Sequence, residues 1–575
     1  GFEAIVGVED FDECGTDEII ASNGKSIFVL DADDGTVLWS EYHGPPSHGG
    51  FMHTAARHFY ADDVAGGQQL AIGLLSSKKV VVWDFGTGST RSPKLRLVLS
   101  MDDFFHPSLL MADINGDDRD ELVITKLSAV YAFDNSTGDA IAECRWSSGG
   151  TPKRNYGLLQ AIDIDNDGAL DLVIISDRVS RHIAVVTNDG DGLLTNSWDR
   201  FIEHIYETDE CELRFAASSV IDVDSDGRVE IVVSIYNEHD DGRWWLEVID
   251  AATGTTRIRY PDAYLRGFSA ATDAMLPRVL VSFETTRVPR ERGRIGALEI
   301  IGDTVTQVWT LENASFAGRF AEDIPRRAFF RTDLPPADDV WSTTIDGRNV
   351  TLIIDERGLV LVDHAASIRD ARAVAGTSGV VSIVAIGDFN VDGFIKFVTS
   401  DADGDVAFIR ADGSVVGKVQ GGFRLRPGTG AYYMAKPMST PVVTADDADR
   451  FCAVPDAGAN VHVLRWNSEQ SSPDEVSRFG MRGRVGPEEA YHAVSWCVLD
   501  GHPVVLGSVV GDGDAALIAV DVDGVERARW PVPDIPSSPT TPTARTGIHE
   551  YALLSDHGSI VVGGFRSPSM NSEVL

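Results

Sequence analysis

Short apolar runs separated by polar loops recur along the whole chain. Residues 122–124, 172–175 and 231–233 are three such runs, each only three or four residues long and rich in β-branched side chains. Later apolar runs close in turns, as at Gly138 and Gly254. Runs of this length are typical of strands, and no stretch keeps a helical period. The pattern therefore predicts an all-β protein.

The unit of loop and strands repeats about every 50 to 60 residues, which is the size of a four-stranded propeller blade with long loops. We expect the first strand of each unit to end at an acidic anchor. The proposed anchors are Asp10, Asp62, Asp113, Asp163, Asp222, Asp273, Asp333 and Asp388, with degenerate copies near Asp446, Asp500 and Arg545.

The repeats divide the chain by clarity rather than by linkers. They are clear over residues 1–400, and residues 401–575 carry divergent units that we expect to continue the same propeller. No long proline- or serine-rich segment separates the two parts. One unusually large ring and two consecutive propellers both agree with this spacing.

Three of the units contain nearly the same acidic loop, at residues 113–121, 163–171 and 222–230. Each loop has oxygen-bearing side chains at its positions 1, 3, 5 and 9. Calcium prefers such oxygen ligands, and alternate residues of a tight loop turn toward one centre. An EF-hand would place its closing glutamate at position 12 between helices, so these loops predict a different calcium site, one that joins two strands.

The loop at residues 163–171 and the strand after it closely resemble the core phrase of the FG-GAP/VCBS repeat family. The resemblance implies a β-propeller of four-stranded blades with DxDxDG-type calcium loops. Members include integrin-like adhesins, bacterial surface proteins and the propeller of family 11 rhamnogalacturonan lyases. The Ca2+ ligands implied by the resemblance are Asp113, Asn115, Asp117 and Glu121; Asp163, Asp165, Asp167 and Asp171; and Asp222, Asp224, Asp226 and Glu230.

Two other units depart from the family pattern. Cys14 stands at position 5 of the first unit, where the family has an oxygen ligand. Lys396 stands at position 9 of the eighth unit, after Asp388 and Asp392. An ammonium group among carboxylates can take the place of a metal, so we expect no ion in the eighth unit.

The chain is strongly acidic. It has 88 aspartates and glutamates against 49 lysines and arginines, a formal net charge of −39. Such a surface disfavours nucleic acid and anionic membranes as partners, and no run of 18 apolar residues predicts a membrane span. The five cysteines form no CxxC pair and indicate neither a zinc site nor a disulfide framework. We expect a mature extracellular protein, secreted or at the cell surface, with its leader removed; a saline habitat is the alternative source of the acidity.

Basic and aromatic residues stand just upstream of the anchors, and in so acidic a chain they suggest a positively charged rim. Arginine forks suit carboxylate or sulfate, and tyrosine faces suit sugar rings, so an anionic glycan or an extracellular protein is the expected partner. The alternative is that these side chains brace neighbouring blades by pairing with aspartates. The ligand-binding candidates are His58, His106, Lys153, Tyr156, Arg214, Arg266 and Lys436.

The segment at residues 42–58 holds four of the 14 histidines and faintly resembles a stretch of the family 11 lyases. Cleavage of a uronic-acid polymer by β-elimination needs a base for the proton at C5 and a cation for the carboxylate. His48 or His53 as base, with Arg57 and Arg154 as clamps, would meet that need. A polysaccharide lyase is thus the alternative to a binding protein, and a histidine-rich loop that serves only as scaffold is the third possibility.

Overall fold

The computed structural model describes strands and loops that together cover part of the chain. The described residues are 4–9, 18–22, 26–31, 37–42, 61–62, 67–74, 79–85, 94–100, 109–117, 119–126, 129–135, 137–145, 157–176, 182–189, 193–202, 211–216, 218–237, 241–269, 276–287, 293–316, 342–345, 348–355, 358–363, 372–373, 380–387, 396–401, 406–410, 414–419, 442–443, 450–455, 460–467, 472–480, 495–499, 502–510, 515–531, 545–553 and 560–567.

Within these residues the strands form ten sheets, most of them four-stranded and antiparallel, and no helix occurs. The first four sheets contain β1 Ala4–Glu9, β2 Glu18–Ser22, β3 Ser26–Asp31 and β4 Val37–Tyr42; β5 Ala61–Asp62, β6 Gly67–Leu74, β7 Lys79–Phe85 and β8 Lys94–Ser100; β9 Leu109–Ala112, β10 Glu121–Lys126, β11 Ala129–Phe133 and β12 Ala140–Arg145; and β13 Gly157–Ile162, β14 Asp171–Ser176, β15 His182–Asn188 and β16 Leu194–Phe201.

The next two sheets vary this plan. In the first, two short strands both pair with the third strand. In the second, one long strand joins two groups of strands into a single sheet. They contain β17 Cys211–Arg214, β18 Val220–Ile221, β19 Glu230–Asn237, β20 Arg243–Asp250 and β21 Thr256–Pro261; and β22 Ala263–Phe268, β23 Val279–Phe283, β24 Gly293–Ile301, β25 Thr304–Phe316, β26 Ser342–Ile345, β27 Arg348–Asp355, β28 Gly358–Asp363 and β29 Arg372–Ala373.

The last four sheets return to short antiparallel pairings. They contain β30 Val380–Gly387, β31 Lys396–Asp401, β32 Val406–Arg410 and β33 Val415–Val419; β34 Val442–Val443, β35 Arg450–Pro455, β36 Asn460–Asn467 and β37 Ser472–Gly480; β38 Ser495–Leu499, β39 His502–Val510, β40 Ala515–Asp521 and β41 Glu526–Pro531; and the pair β42 Arg545–Leu553 and β43 Ile560–Ser567. The all-β prediction and the four-stranded unit are confirmed.

Among the predicted anchors, Asp113, Asp163 and Asp222 each directly follow a short strand, and Asp62 ends one. The predicted anchors that lie outside the described residues are Asp10, Asp273, Asp333, Asp388, Asp446 and Asp500. Arg545 behaves differently, because it begins β42 instead of following a strand.

The chain divides into two compact units. One comprises residues 1–52, 87–93 and 373–575, and within it β1 contacts β43. The other comprises residues 53–86 and 94–372. There β9 contacts β13 and β12 contacts β16, so like strands of consecutive sheets lie side by side, as in propeller blades. The predicted boundary near residue 400 concerned repeat clarity and stays a prediction.

The core of the second unit lies between consecutive sheets, so a sheet with a neighbour on each side, such as β13–β16, buries both of its faces. Successive side chains of β14 point to opposite faces. Leu172 and Ile174 pack against residues of β10 and β11, whereas Val173 and Ile175 pack against residues of β19. Burial on both faces explains why these strands appear in the sequence as unbroken apolar runs.

The fourth strand of nine sheets contains a bulge that inserts one residue relative to the third strand. It occurs in β4, β8, β12, β16, β21, β25, β33, β37 and β41. A bulge turns the extra side chain away from the regular alternation. In β21 the extra residue is Arg257, because Val248 pairs with Ile258 and Ile249 pairs with Thr256.

The turn between the third and fourth strands also locks neighbouring sheets together. In the turn after β20, Asp250 accepts a hydrogen bond from the Thr253 backbone N–H at 2.8 Å, and Gly254 has φ +70°. Trp198 of the preceding sheet donates from its ring nitrogen to the Ala251 carbonyl at 2.7 Å and covers Gly254. The glycine thus meets two needs, a left-handed backbone and room for the indole.

Gly254→Ala should lower the apparent melting temperature strongly, because an added Cβ would lie 2.5 Å from Trp198 Cδ2 in a left-handed residue. We expect a cost of about 2–4 kcal/mol from strain and overpacking together. Gly242→Ala is the matched control, since Gly242 has φ +66° but its nearest atom is 4.0 Å from such a Cβ. Equal melting shifts for the two variants, measured by circular dichroism, would contradict the packing role.

Candidate metal loops and arginine contacts

The three acidic loops share one hydrogen-bonding plan. The side chain at position 1 accepts the backbone N–H of position 5, at 3.2 Å from Asp113, 3.2 Å from Asp163 and 3.1 Å from Asp222. The side chain at position 5 in turn accepts the N–H of position 7 at 2.8–3.0 Å. These contacts fold the loop around its own carboxylates, which is why alternate positions carry short acidic residues.

The carboxylate at position 9 fixes the loop to the sheet. It begins the second strand and accepts the backbone N–H of position 2, at 2.8 Å for Glu121, 3.1 Å for Asp171 and 3.0 Å for Glu230. The position 2 side chains, Ile114 and Ile164 among them, are buried in the core between sheets. Sequence reasoning identified the carboxylates but missed this apolar residue, although its recurrence between two acidic residues was a visible signal.

Two of the loops concentrate carboxylates tightly enough to hold a metal ion. In each, three carboxylate oxygens lie within 4.8 Å of one another: those of Asp163, Asp165 and Asp171, and those at positions 1, 3 and 9 of the loop 222–230. All are hard oxygen donors, which suits calcium. The predicted ligands Asp167 and Asp226 are not part of these clusters.

The loop 113–121 is arranged differently. Its position 3 is Asn115, whose side-chain amide donates to Glu121 at 3.0 Å, and the Asn115 backbone N–H donates to the same carboxylate at 3.2 Å. Both carboxylate oxygens of Glu121 therefore accept hydrogen bonds from the loop itself. Among the residues that the structure describes, this loop has no cluster of three carboxylates comparable to the other two.

Burial raises the pKa of the position 9 carboxyls. Glu121 is 3 % exposed, and desolvation, helped by the charges of Asp117 and Asp113, raises its pKa from 4.5 to about 7 despite the backbone hydrogen bonds. Burial likewise raises the pKa of Asp171, at position 9 of its loop. It also raises the pKa of Asp120, at position 8 of the loop 113–121, to about 6. The folded protein therefore holds these carboxylates at a cost unless a cation lies nearby.

Two contacts between consecutive sheets join the loops. Asn188, which ends β15, donates its backbone N–H to Asp171 at 2.9 Å and its side-chain amide to the Ile114 carbonyl of the preceding loop. The side-chain amide of Asn166 lies 3.5 Å from the carbonyl of Gly227 in the next loop. Sequence reasoning did not find Asn188, because only the packing of two sheets brings it to the loop.

Nine of the predicted rim residues, including all four catalytic candidates, lie outside the described residues. They are His48, His53, Arg57, His58, His106, Lys153, Arg154, Tyr156 and Lys436. Lys396 begins β31, as the position 9 residues begin their strands, but its side chain is not among those described.

Arg214 and Arg266 are the two rim candidates that the structure describes, on the first strands β17 and β22 of neighbouring sheets. Both guanidinium groups lie over the ring of Tyr264, at 5.8 and 4.7 Å from its centroid. Arg266 also donates to the Ser282 hydroxyl at 2.7 Å. The two arginines are half-buried, so they combine internal contacts with an accessible face.

Residues 163–233 match the FG-GAP-like repeat family, which confirms the resemblance seen in the loops. The four-stranded sheets have the form of β-propeller blades, and residues 163–233 carry the FG-GAP-like repeat.

Solved structures similar to the chain share 12% sequence identity with it. BamB from Moraxella catarrhalis has a TM-score of 0.33, over 79% of this chain and 96% of BamB. A eukaryotic initiation factor also has a TM-score of 0.33, over 80% and 95%. Sqt1 from Saccharomyces cerevisiae has a TM-score of 0.29, over 81% and 93%. No curated relative matches the sequence, and the described residues contain no apolar helix of membrane-spanning length.

In metal-free protein, Glu121 should make stability fall as pH rises. A folded pKa of about 7 against an ordinary 4.5 means that the folded state favours the proton, so the stabilisation present below pH 4.5 is lost as pH rises through 7. The ceiling is about 3 kcal/mol, at roughly 1.4 kcal/mol per pKa unit. Urea unfolding of the parent and Glu121→Gln from pH 4.5 to 8 measures it, and a pH-independent difference would show that Glu121 is not desolvated.

Proposed function

We propose that the protein is an extracellular β-propeller that calcium stabilises and that binds an anionic partner, an acidic polysaccharide foremost, through arginines on its first strands. The observation that carries the calcium part is the convergence of Asp163, Asp165 and Asp171. Within the described residues no basic side chain pairs with these three. The family resemblance implies the same ion at the same loop.

Calcium would supply the charge that the fold lacks there. Four carboxylates crowd the loop 163–171, and burial raises the pKa of Asp171. A divalent ion coordinated by oxygen ligands offsets that repulsion and favours the ionised form. Sites of this kind in extracellular modules bind calcium at about 10⁻⁴–10⁻³ M, so calcium outside cells would saturate them whereas cytosolic calcium would not.

Arg214 and Arg266 support the anionic partner. Each guanidinium group lies over the ring of Tyr264, and both side chains remain partly accessible. A planar fork matches a carboxylate or sulfate, and orienting it beforehand reduces the entropy lost on binding. In a chain of net charge −39, such a pair is a local exception that an anion would recognise.

Removing calcium should lower the melting temperature of the parent. A ligand at a hundred times its dissociation constant stabilises by about 2.7 kcal/mol. Asp165→Asn should have a melting temperature closer to that of the chelated parent and should respond less to added calcium. Asp165 is exposed, so its side chain contributes little besides its charge. Asp139→Asn, which removes a carboxylate from an exposed turn, is the control and should keep the full response. Equal calcium responses of the parent and Asp165→Asn would contradict the metal site.

Arg214→Gln and Arg266→Gln should each weaken retention on immobilised polygalacturonate, and moderate salt should weaken it further, because exposed charges are screened over about 8 Å at physiological ionic strength. Arg145→Gln is the control: its side chain is 70% exposed and pairs with Glu143 on a fourth strand, so it removes the same charge elsewhere.

Retention, melting temperature and ultraviolet absorbance, measured on the same variants, separate three outcomes. Parental retention combined with a lower melting temperature would make the two arginines braces of neighbouring sheets and would refute the binding role. Equal losses for all three variants would indicate non-specific charge. An increase in ultraviolet absorbance from unsaturated uronates would point to the lyase that the histidine-rich segment suggested.

A further inference from the structure

The loop 222–230 already holds a cation that belongs to the chain. Arg257 donates from Nη2 to Asp224 Oδ2 at 2.8 Å and from Nη1 to Glu230 Oε1. Its Nε also reaches Asp303 in the next sheet at 3.2 Å, although that carboxylate is largely exposed. The Arg257 side chain is 10% exposed, and those of Asp224 and Glu230 are 1% and 0% exposed, so this ion triad is almost fully buried.

The bulge in β21 is what brings Arg257 to the loop. In a regular strand, residues 256 and 257 would point to opposite faces. Because Arg257 is the inserted residue, its side chain leaves that alternation and extends toward the end of the sheet where the loop lies. A second arginine, Arg228, holds Asp226 with its Nε 3.0 Å from Oδ2. Three of the four predicted ligands of this loop are therefore bound to guanidinium groups.

The loop 163–171 is a natural comparison, because its carboxylate oxygens converge in the same way. Among the described residues, no arginine, lysine or histidine forms an ion pair with Asp163, Asp165 or Asp171. Two loops of one family, side by side in consecutive sheets, thus meet the same electrostatic need differently. One has a built-in cation, and the other requires one from solution.

We infer that Arg257 takes the place of calcium in the loop 222–230, so that this loop is independent of metal in the native protein. The inference rests on the proposed calcium site at 163–171 only as its comparison. Calcium at 222–230 would have to share the Asp224 and Glu230 carboxylates with Arg257, which already holds one oxygen of each. It would also strand a buried guanidinium, which the surrounding carboxylates hold fully charged by raising its pKa against the effect of burial.

Asp224 shows what the arginine leaves behind. Its Oδ1 is buried and has no hydrogen-bond partner, while its Oδ2 is held by Arg257. Together with Asp222 and Glu230, the Asp224 carboxylate would form an oxygen-lined site if the guanidinium were removed. Replacing Arg257 by a neutral residue should therefore open a calcium site that the parent protein lacks.

The experiment counts calcium ions bound to dialysed, metal-free full-length protein by native mass spectrometry and calorimetric titration. Arg257→Gln should bind one more calcium ion than the parent, and Asp222→Asn in the Arg257→Gln background should remove that extra ion. Asp222→Asn alone should leave the parental count unchanged. Arg145→Gln, the loss of an exposed arginine, should also leave it unchanged.

The loss of one calcium ion in Asp222→Asn alone would overturn the inference, because the native loop would then already hold metal. So would an Arg257→Gln variant that folds, by circular dichroism, and gains no ion. If Arg257→Gln does not fold, Asp222→Asn in the parent decides by itself. Asp165→Asn is the separate test of the comparison site: an unchanged count there would refute calcium at 163–171 and leave the result at 222–230 standing.

Discussion

The interaction on which the acidic loops depend is the hydrogen bond from the position 2 backbone N–H to the position 9 carboxylate. It binds the start of the loop to the start of the second strand, and it places the carboxylate under the apolar side chain that enters the core. The hydrogen bond itself is favourable, but burying the negative charge of the carboxylate costs free energy. Everything else at these loops follows from how that charge is compensated.

The three loops compensate it in three ways. In the loop 113–121, Glu121 takes hydrogen bonds from two backbone amides and from the Asn115 side chain. In the loop 222–230, Arg257 and Arg228 supply positive charge. In the loop 163–171, Asp171 accepts two backbone N–H groups but no described cation pairs with it, and this is the loop for which we propose calcium. The same loop plan thus accommodates different partners for its buried carboxylate, and one of them, Arg257 at the loop 222–230, comes from outside the motif.

The regular part of this architecture could be predicted from the sequence. The contacts that depend on packing between strands could not. The all-β class, the acidic loops, the strand that each position 9 residue begins and the turns at Gly138 and Gly254 were all visible, because each depends on neighbours within about ten residues. Arg257 was missed because it belongs to a bulge, and a bulge is defined by register with the partner strand. Asn188 was missed because its contact with the Ile114 carbonyl spans two sheets.

Compensation by arginine and compensation by calcium have different consequences for stability. A buried guanidinium is always present, so the sheet β17–β21 is held at any calcium concentration, and removal of one partner of such a buried pair typically costs about 3–5 kcal/mol. A calcium site contributes only when the ion is abundant. Because the side-chain amide of Asn166 lies 3.5 Å from the Gly227 carbonyl, the arginine-held loop gives the loop 163–171 a fixed neighbour, whichever cation that loop takes.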